Sequence, residues 1–157
     1  AGAVDKASHA YGNRRTKRTE IMFWQGGMAY VYLCYGIHHL FNVVTNVRDV
    51  PHAVLIRAVE PLEGIEHMLE RRGKEKLTPS LTAGPGAMSM ALGIHTSQTG
   101  KSLLSNEIYI ENRGFRIPSK DIVTSTRVGV AYAQDDAYLP YRFSIRGNKY
   151  VSKGKGL

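Results

Sequence analysis

Cysteine is almost absent. Cys34 is the only one among 157 residues. A single cysteine excludes an intramolecular disulfide and a cysteine-rich zinc site, and it favours a reducing compartment. Long hydrophobic runs are also missing. The most apolar stretch, 28–44, is interrupted by Tyr30, Tyr32, Tyr35, His38, His39 and Asn42. It falls short of the roughly 20 apolar residues that a membrane helix needs. The opening Ala1-Gly-Ala-Val-Asp-Lys6 lacks the apolar core of a secretory signal. It also lacks an initiator methionine, which either initiator removal or a start inside a longer chain explains. Acidic residues are scarce: 13 Asp and Glu stand against 21 Lys and Arg, a net charge of +8. That excess points to a polyanion, whether DNA, RNA or an anionic membrane surface, and charge alone does not choose among them. Repeats and low-complexity tracts are absent, and 43% hydrophobic with 22% charged residues excludes wholesale disorder.

Familiar catalytic signatures are missing as well. His9, His38, His39, His52, His67 and His95 include no HExxH or similar ligand spacing, so no metal is expected. There is no GxSxG, no Walker A and no GxGxxG following a strand.

What is present suits one domain of about 100–200 residues. Residues 1–27 are basic, polar and glycine-containing, and read as loop or short helix. Segments 28–35 and 37–47 are rich in Tyr, Val, Ile and Leu and read as two strands broken at Gly36. A third strand is expected over 53–59. Leu62, Ile65, Met68 and Leu69 recur at helical spacing, which predicts a helix over 62–72 that starts near Pro61 and stops at Gly73. Gly84-Pro85-Gly86 predicts a tight turn into a short helix over 87–92. Further strands are expected at 107–111, 121–124, 127–130 and 141–146, with an exposed tail over 147–157. Strands in runs with few helices between them predict an α+β fold with an antiparallel sheet.

Several side chains stand out. Tyr30 and Tyr32 are two apart and share one strand face, whereas Tyr35 has the opposite parity and sits beside Gly36 at a hairpin tip. Such tyrosines either pack a sheet or stack nucleic-acid bases, at about 1–3 kcal/mol per base. The run Arg14-Arg-Thr-Lys-Arg18 is either a solvated charged loop or a phosphate grip. Arg57, inside an apolar strand, needs an anionic partner such as Glu60 or a bound phosphate, unless it lies on an exposed sheet face. Asn42, also within an apolar strand, either caps a bulge or lines a site. Gly84-Pro85-Gly86 before a helix either aims backbone N–H groups at a phosphate or is a plain turn.

In order along the chain stand Asp5-Lys-Ala-Ser-His9, Arg14-Arg-Thr-Lys-Arg-Thr-Glu-Ile-Met-Phe23 and Ala29-Tyr-Val-Tyr-Leu-Cys-Tyr-Gly36. They are followed by Asn42-Val-Val, Val54-Leu-Ile-Arg-Ala-Val-Glu-Pro-Leu-Glu-Gly64, Gly84-Pro-Gly86, Arg127-Val-Gly129 and Arg142-Phe-Ser-Ile-Arg-Gly147. This ordered set resembles the alkyladenine (3-methyladenine) DNA glycosylases in their bacterial form, from Ala1 to about Ser152. The resemblance implies a single α+β domain over 1–157, with a curved, mostly antiparallel sheet, a protruding β-hairpin and a few flanking helices. It implies excision of alkylated or deaminated purines from duplex DNA, in base excision repair, by hydrolysis of the N-glycosidic bond. The target nucleotide is flipped out of the duplex. No metal or other cofactor, no membrane partner, a monomer, and a cytoplasmic, nucleoid-associated location in a bacterium are expected.

Residue by residue, Tyr35 matches the tyrosine that wedges into the minor groove in place of the flipped nucleotide. Tyr32 matches the aromatic that stacks on the flipped base, where an alkylated, cationic purine gains cation–π attraction. His9 matches a pocket histidine on the other side of the base. Asn42 matches a side chain that crowds the exocyclic amine of normal guanine, and Arg57 a pocket arginine near the target's phosphate and the water. Arg14, Thr16 and Arg18 fall where the family touches the DNA backbone. Lys17 stands where the family usually has Pro, and Ala87 where it usually has Lys.

One departure is larger. The family's general base is a Glu in a Glu-Ala-Tyr stretch immediately upstream of the segment matching Ala1-Gly2, with a second pocket tyrosine beside it. No catalytic residue is therefore assigned within 1–157, and the family's N-terminal portion is missing. General-base activation of water contributes about 10²–10⁴-fold. Asp5 matches a different family position, while Glu60 and Glu63 match a turn leading to a helix. Two alternatives follow: a non-catalytic homologue that binds damaged DNA, and an unrelated RNA- or polyanion-binding domain. The charge gathers at 14–18 and again over 142–155, where no acidic residue lies, flanking the tyrosine-rich hairpin in sequence.

Overall fold

The computed structural model describes residues 1–152. Its centre is a three-stranded antiparallel sheet of β1 (Ala29–Cys34), β2 (His38–Val44) and β3 (Ala53–Leu55), in that order. Tyr30 pairs with Asn42 and Asn42 with Leu55, so the even-numbered side chains of β1 and β2 share one face with the odd-numbered ones of β3. That face packs Tyr30, Val44 and Ala53 on Ala10, Ile21, Met22 and Phe23 of the N-terminal segment. The opposite face packs Ala29, Val31 and Phe41 on Met88, Ile94 and Leu103. Burial on both faces explains why β1 and β2 read as nearly continuous apolar runs. The N-terminal segment, all turns and short 3-10 pieces at Tyr11–Asn13 and Glu20–Phe23, thereby becomes one wall of the site.

The β1–β2 turn is tight. Ile37 N–H donates to the Cys34 carbonyl at 3.2 Å. Tyr35 and Gly36 both take positive φ, 51° and 73°. Positive φ at the two central residues matches the right-handed twist of a hairpin. A tyrosine in this region is strained by about 1–2 kcal/mol, since its Cβ approaches the following carbonyl.

Helices flank the sheet's other face. The first, α1, covers Ile65–Arg72 and stops at Gly73 in the left-handed conformation. It starts three residues later than its spacing predicts, because Gly64 also takes a left-handed φ of 65° and blocks an earlier start. Arg71 donates to the Ala91 carbonyl and Arg72 to the Leu81 carbonyl, which ties α1 to its neighbours by arginines and not by buried apolar side chains. The second, α2, covers Pro85–Leu92, with Pro85 at its first position. The His38 ring lies 2.9 Å from where a Cβ on Gly86 would stand, so only glycine permits that approach.

A second sheet pairs β4 (Ile122–Ser125) with β5 (Arg142–Ile145). Four further expectations are corrected. Residues 107–111 form no strand; a single bridge, Leu104 to Tyr109, is their sheet-like contact. Residues 127–130 are not a strand either: Gly129 is left-handed and the Arg127 side chain is drawn to Asp5. Over 53–59 the strand is short, ending at Leu55 before an isolated bridge from Ala58 to Ala83. The tail is not exposed up to its described end. Tyr150 and Ser152 are buried, and Arg142 donates to the Ser152 carbonyl at 2.5 Å. Residues 153–157, part of the basic stretch over 142–155, lie outside the described residues.

Candidate functional site

The sheet face that carries Tyr30, Tyr32 and Asn42 holds the site. Tyr30 and Tyr32 project from β1 with ring centroids 5.6 Å apart. The N-terminal loop brings His9 onto them, 4.6 Å from the Tyr32 centroid in an edge-on arrangement. Two hydrogen bonds hold its imidazole. Arg18 Nη2, which can only donate, lies 3.3 Å from His9 Nε2. In a neutral ring Nε2 is then the acceptor, so Nδ1–H donates to the Tyr30 hydroxyl, 2.8 Å away. Burial, reinforced by the Arg18 charge, pushes the His9 pKa down to about 4 and keeps the ring neutral near pH 7. Burial likewise pushes Tyr32 up to about 12.

Arg18 also lies over the ring of Tyr32, its Cζ 5.0 Å from the centroid. Arg14 and Thr16 join His9 and Arg18 around a cleft of about 240 Å³. The backbone beneath is held by a local knot: Thr16 N–H donates to Thr19 Oγ1 at 2.8 Å, and Thr19 Oγ1 donates to the Arg14 carbonyl at 2.9 Å. Arg15 takes no part in the cleft. It pairs with Glu20 at 2.8 Å and Asp49 at 3.0 Å and stacks on Phe23. Of the basic run, Arg14, Lys17 and Arg18 are thus left without a carboxylate partner among the described residues.

Arg57 answers the question its position raised. It is half-buried, and its buried Nε has no hydrogen-bond partner among the described residues. Glu60 does not reach it, since Glu60 accepts from Asn148 at 2.9 Å. Burial, followed by the like charge of Arg142, lowers the Arg57 pKa, while Tyr32 acts the other way. Two guanidiniums close enough to repel, one with an unsatisfied donor, make a place for an anion. Arg142, whose charge acts on Arg57, donates to the Ser152 carbonyl and hydroxyl.

Asn42 lies on the same face, but its amide donates to the Tyr30 and Leu40 carbonyls at 3.1 and 3.0 Å, which pins the hairpin from within. Tyr35 is separate from this cluster. It stands at the hairpin tip, 91% exposed, with exposed Leu33 and Ile37 beside it. The described residues contain no helix long and apolar enough to cross a membrane.

Among the described residues, no ion pair joins a carboxylate to His9 or Arg57. The nearest in sequence, Asp5, is 3% exposed and receives both Arg127 Nη1 at 2.5 Å and Nη2 at 3.0 Å. Its Oδ1 also accepts from the Ala7 N–H at 2.9 Å. Burial raises its pKa, but the Arg127 and Ala7 hydrogen bonds outweigh burial and hold it below the usual carboxylate range.

The family model described as methylpurine-DNA glycosylase matches residues 1–149. A protein of Bacillus cytotoxicus is 45% identical over 160 residues, covering 97% of this chain and 78% of its own length. One of Clostridium perfringens is 42% identical and one of Alkaliphilus oremlandii 43%, with the same coverage. All three carry the provisional name 3-methyladenine DNA glycosylase. With a family model spanning its site and relatives this similar over nearly its whole length, the chain belongs to the methylpurine-DNA glycosylase family.

Proposed function

We propose that this chain is the lesion-recognising body of a purine DNA glycosylase that flips alkylated or deaminated purines out of duplex DNA for hydrolysis of the N-glycosidic bond. The observation that carries the reading is the juxtaposition of His9 and Tyr32 with Arg57. An aromatic pair lies near a half-buried arginine whose buried Nε has no acceptor among the described residues, Tyr32 being close enough to act on its charge. They call for one ligand that is flat at one end and anionic at the other, which describes a nucleotide. Inside a duplex neither part is reachable by this recess, so the nucleotide leaves the stack. Tyr35, stiffly presented at the hairpin tip, fills the space it vacates. Arg14 and Thr16 grip the backbone alongside.

Hydrolysis needs a base for the water, and Asp5 is held by Arg127. Ala1 and Ala53 exchange both backbone hydrogen bonds, at 3.0 and 2.9 Å, an antiparallel pair at the edge of β3. A residue joined ahead of Ala1 continues along β3 in the direction of Arg57. In the order Glu-Ala-Tyr, the Glu falls level with Ile56, one residue from Arg57.

The test compares the 157-residue chain with one carrying Glu-Ala-Tyr ahead of Ala1, on duplexes with and without one hypoxanthine. Anisotropy reads binding and chromatography reads base release. Both proteins are expected to prefer the lesion duplex, and the extended one alone to release base. Lesion preference without release by either protein supports a damage-binding module in place of an enzyme. Equal affinity for lesion DNA, intact DNA and RNA overturns the reading.

A further inference from the structure

We propose that in the DNA-free protein the Arg18 side chain occupies the seat of the target base, and that base entry displaces its guanidinium onto the phosphate backbone. The inference rests on the pocket assignment above. Arg18 lies over the Tyr32 ring at 5.0 Å and donates to His9 Nε2 at 3.3 Å. These are the two contacts that a flat purine with an exocyclic N–H offers. A guanidinium is planar, cationic and edged with N–H donors, as is an alkylated purine with its amine. The two therefore compete for one ring face and one lone pair.

The lone pair cannot serve both. His9 Nδ1–H is committed to the Tyr30 hydroxyl, so Nε2 is the single acceptor that the ring presents. The pocket is also shut as it stands, since the His9 ring touches the Tyr32 ring edge-on at 4.6 Å and leaves no slot between them. A base enters only if this cluster rearranges.

Arg18 is free to leave where its neighbour is not. Arg15, three residues back, is clamped between Glu20 and Asp49. Arg18 has no carboxylate partner among the described residues. The loop backbone is fixed by the Thr16–Thr19 knot, so the motion belongs to the side chain. Its new position is the basic rim that already presents Arg14 and Lys17. The exchange keeps one cation on Tyr32 when the incoming base is alkylated, and it adds one phosphate contact to the lesion complex alone.

The experiment measures salt dependence of binding to two duplexes of one sequence, differing in a single 7-methylguanine, which is cationic and keeps its exocyclic amine, in place of guanine. In the undamaged complex Arg18 stays on Tyr32; in the lesion complex it holds a phosphate. The plot of log K against log salt is then steeper for the lesion duplex by about 0.9 in the unaltered protein. Arg18→Gln is expected to abolish this difference and Arg18→Lys to retain it. Equal slopes in the unaltered protein, or a difference that survives in Arg18→Gln, overturn the exchange. Absence of any lesion preference in the unaltered protein overturns the pocket assignment instead.

Discussion

Asp5 and Arg127, 122 residues apart in sequence, form a bidentate ion pair beneath the N-terminal wall of the site. Arg127 also donates to the Asp136 carbonyl at 2.8 Å, while Lys6 N–H donates to the Asp136 carboxylate. The pair therefore fastens the loop that carries His9 to the segment that follows β4.

Breaking this pair strands a charge in the interior. Asp5→Asn or Arg127→Met should cost about 3–5 kcal/mol, read from urea unfolding. The pH dependence follows from the depressed Asp5 pKa. Its contribution is full above the unfolded value and is lost as pH falls through the lower folded value. Asp5→Asn should flatten the acid limb of the stability profile. An unchanged acid limb would remove Asp5 from this role.

His9 adds a second acid sensitivity. Its folded pKa, about 4, lies below the unfolded 6.5, so the unfolded chain binds the extra proton between those values. Stability should fall as pH drops from about 6.5 towards 4 and level off below. Replacing His9 by Gln should remove that slope, measured by denaturant midpoints across the window.

Tyr35 separates stability from capture. Tyr35→Gly relieves about 1–2 kcal/mol of left-handed strain, offset by about 0.4–1 kcal/mol from a looser unfolded chain. The variant should be more stable by about 1 kcal/mol, yet hold lesion DNA less well. Tyr35→Ala keeps the strain and should lose capture with the fold intact. A variant that binds lesion duplex as well as the unaltered protein takes Tyr35 out of the wedge.

Arg14 is the plain phosphate contact. Arg14→Ala should lower affinity for damaged and undamaged duplexes alike and reduce the salt slope of both by about one unit. A loss confined to lesion DNA would argue for a place in the base pocket.

Several parts of the site were legible without coordinates because their signals are local. Tyr30 and Tyr32 share a face by strand parity, and their rings lie together. Tyr35 beside Gly36 sits at the tip because a tight turn needs positive φ there. Arg57 inside an apolar run was recognisable as a charge needing an explanation. Elements that failed did so for want of partners. Residues 107–111 alternate cleanly, but alternation supplies no neighbouring backbone, and no strand pairs with them.

The amino-acid sequence by itself determined the two buried strands, their tight hairpin, the basic loop and the absence of disulfides. Periods of two, glycine positions and residue counts act over a few residues. Tertiary structure alone decided which charges are spent and which remain. It gave Asp5 to Arg127, Arg15 to Glu20 and Asp49, and Glu60 to Asn148. It left Arg57 Nε buried and unpaired among the described residues and laid Arg18 across Tyr32. Those outcomes turn on distances between residues far apart in the chain, which folding sets and local pattern does not carry.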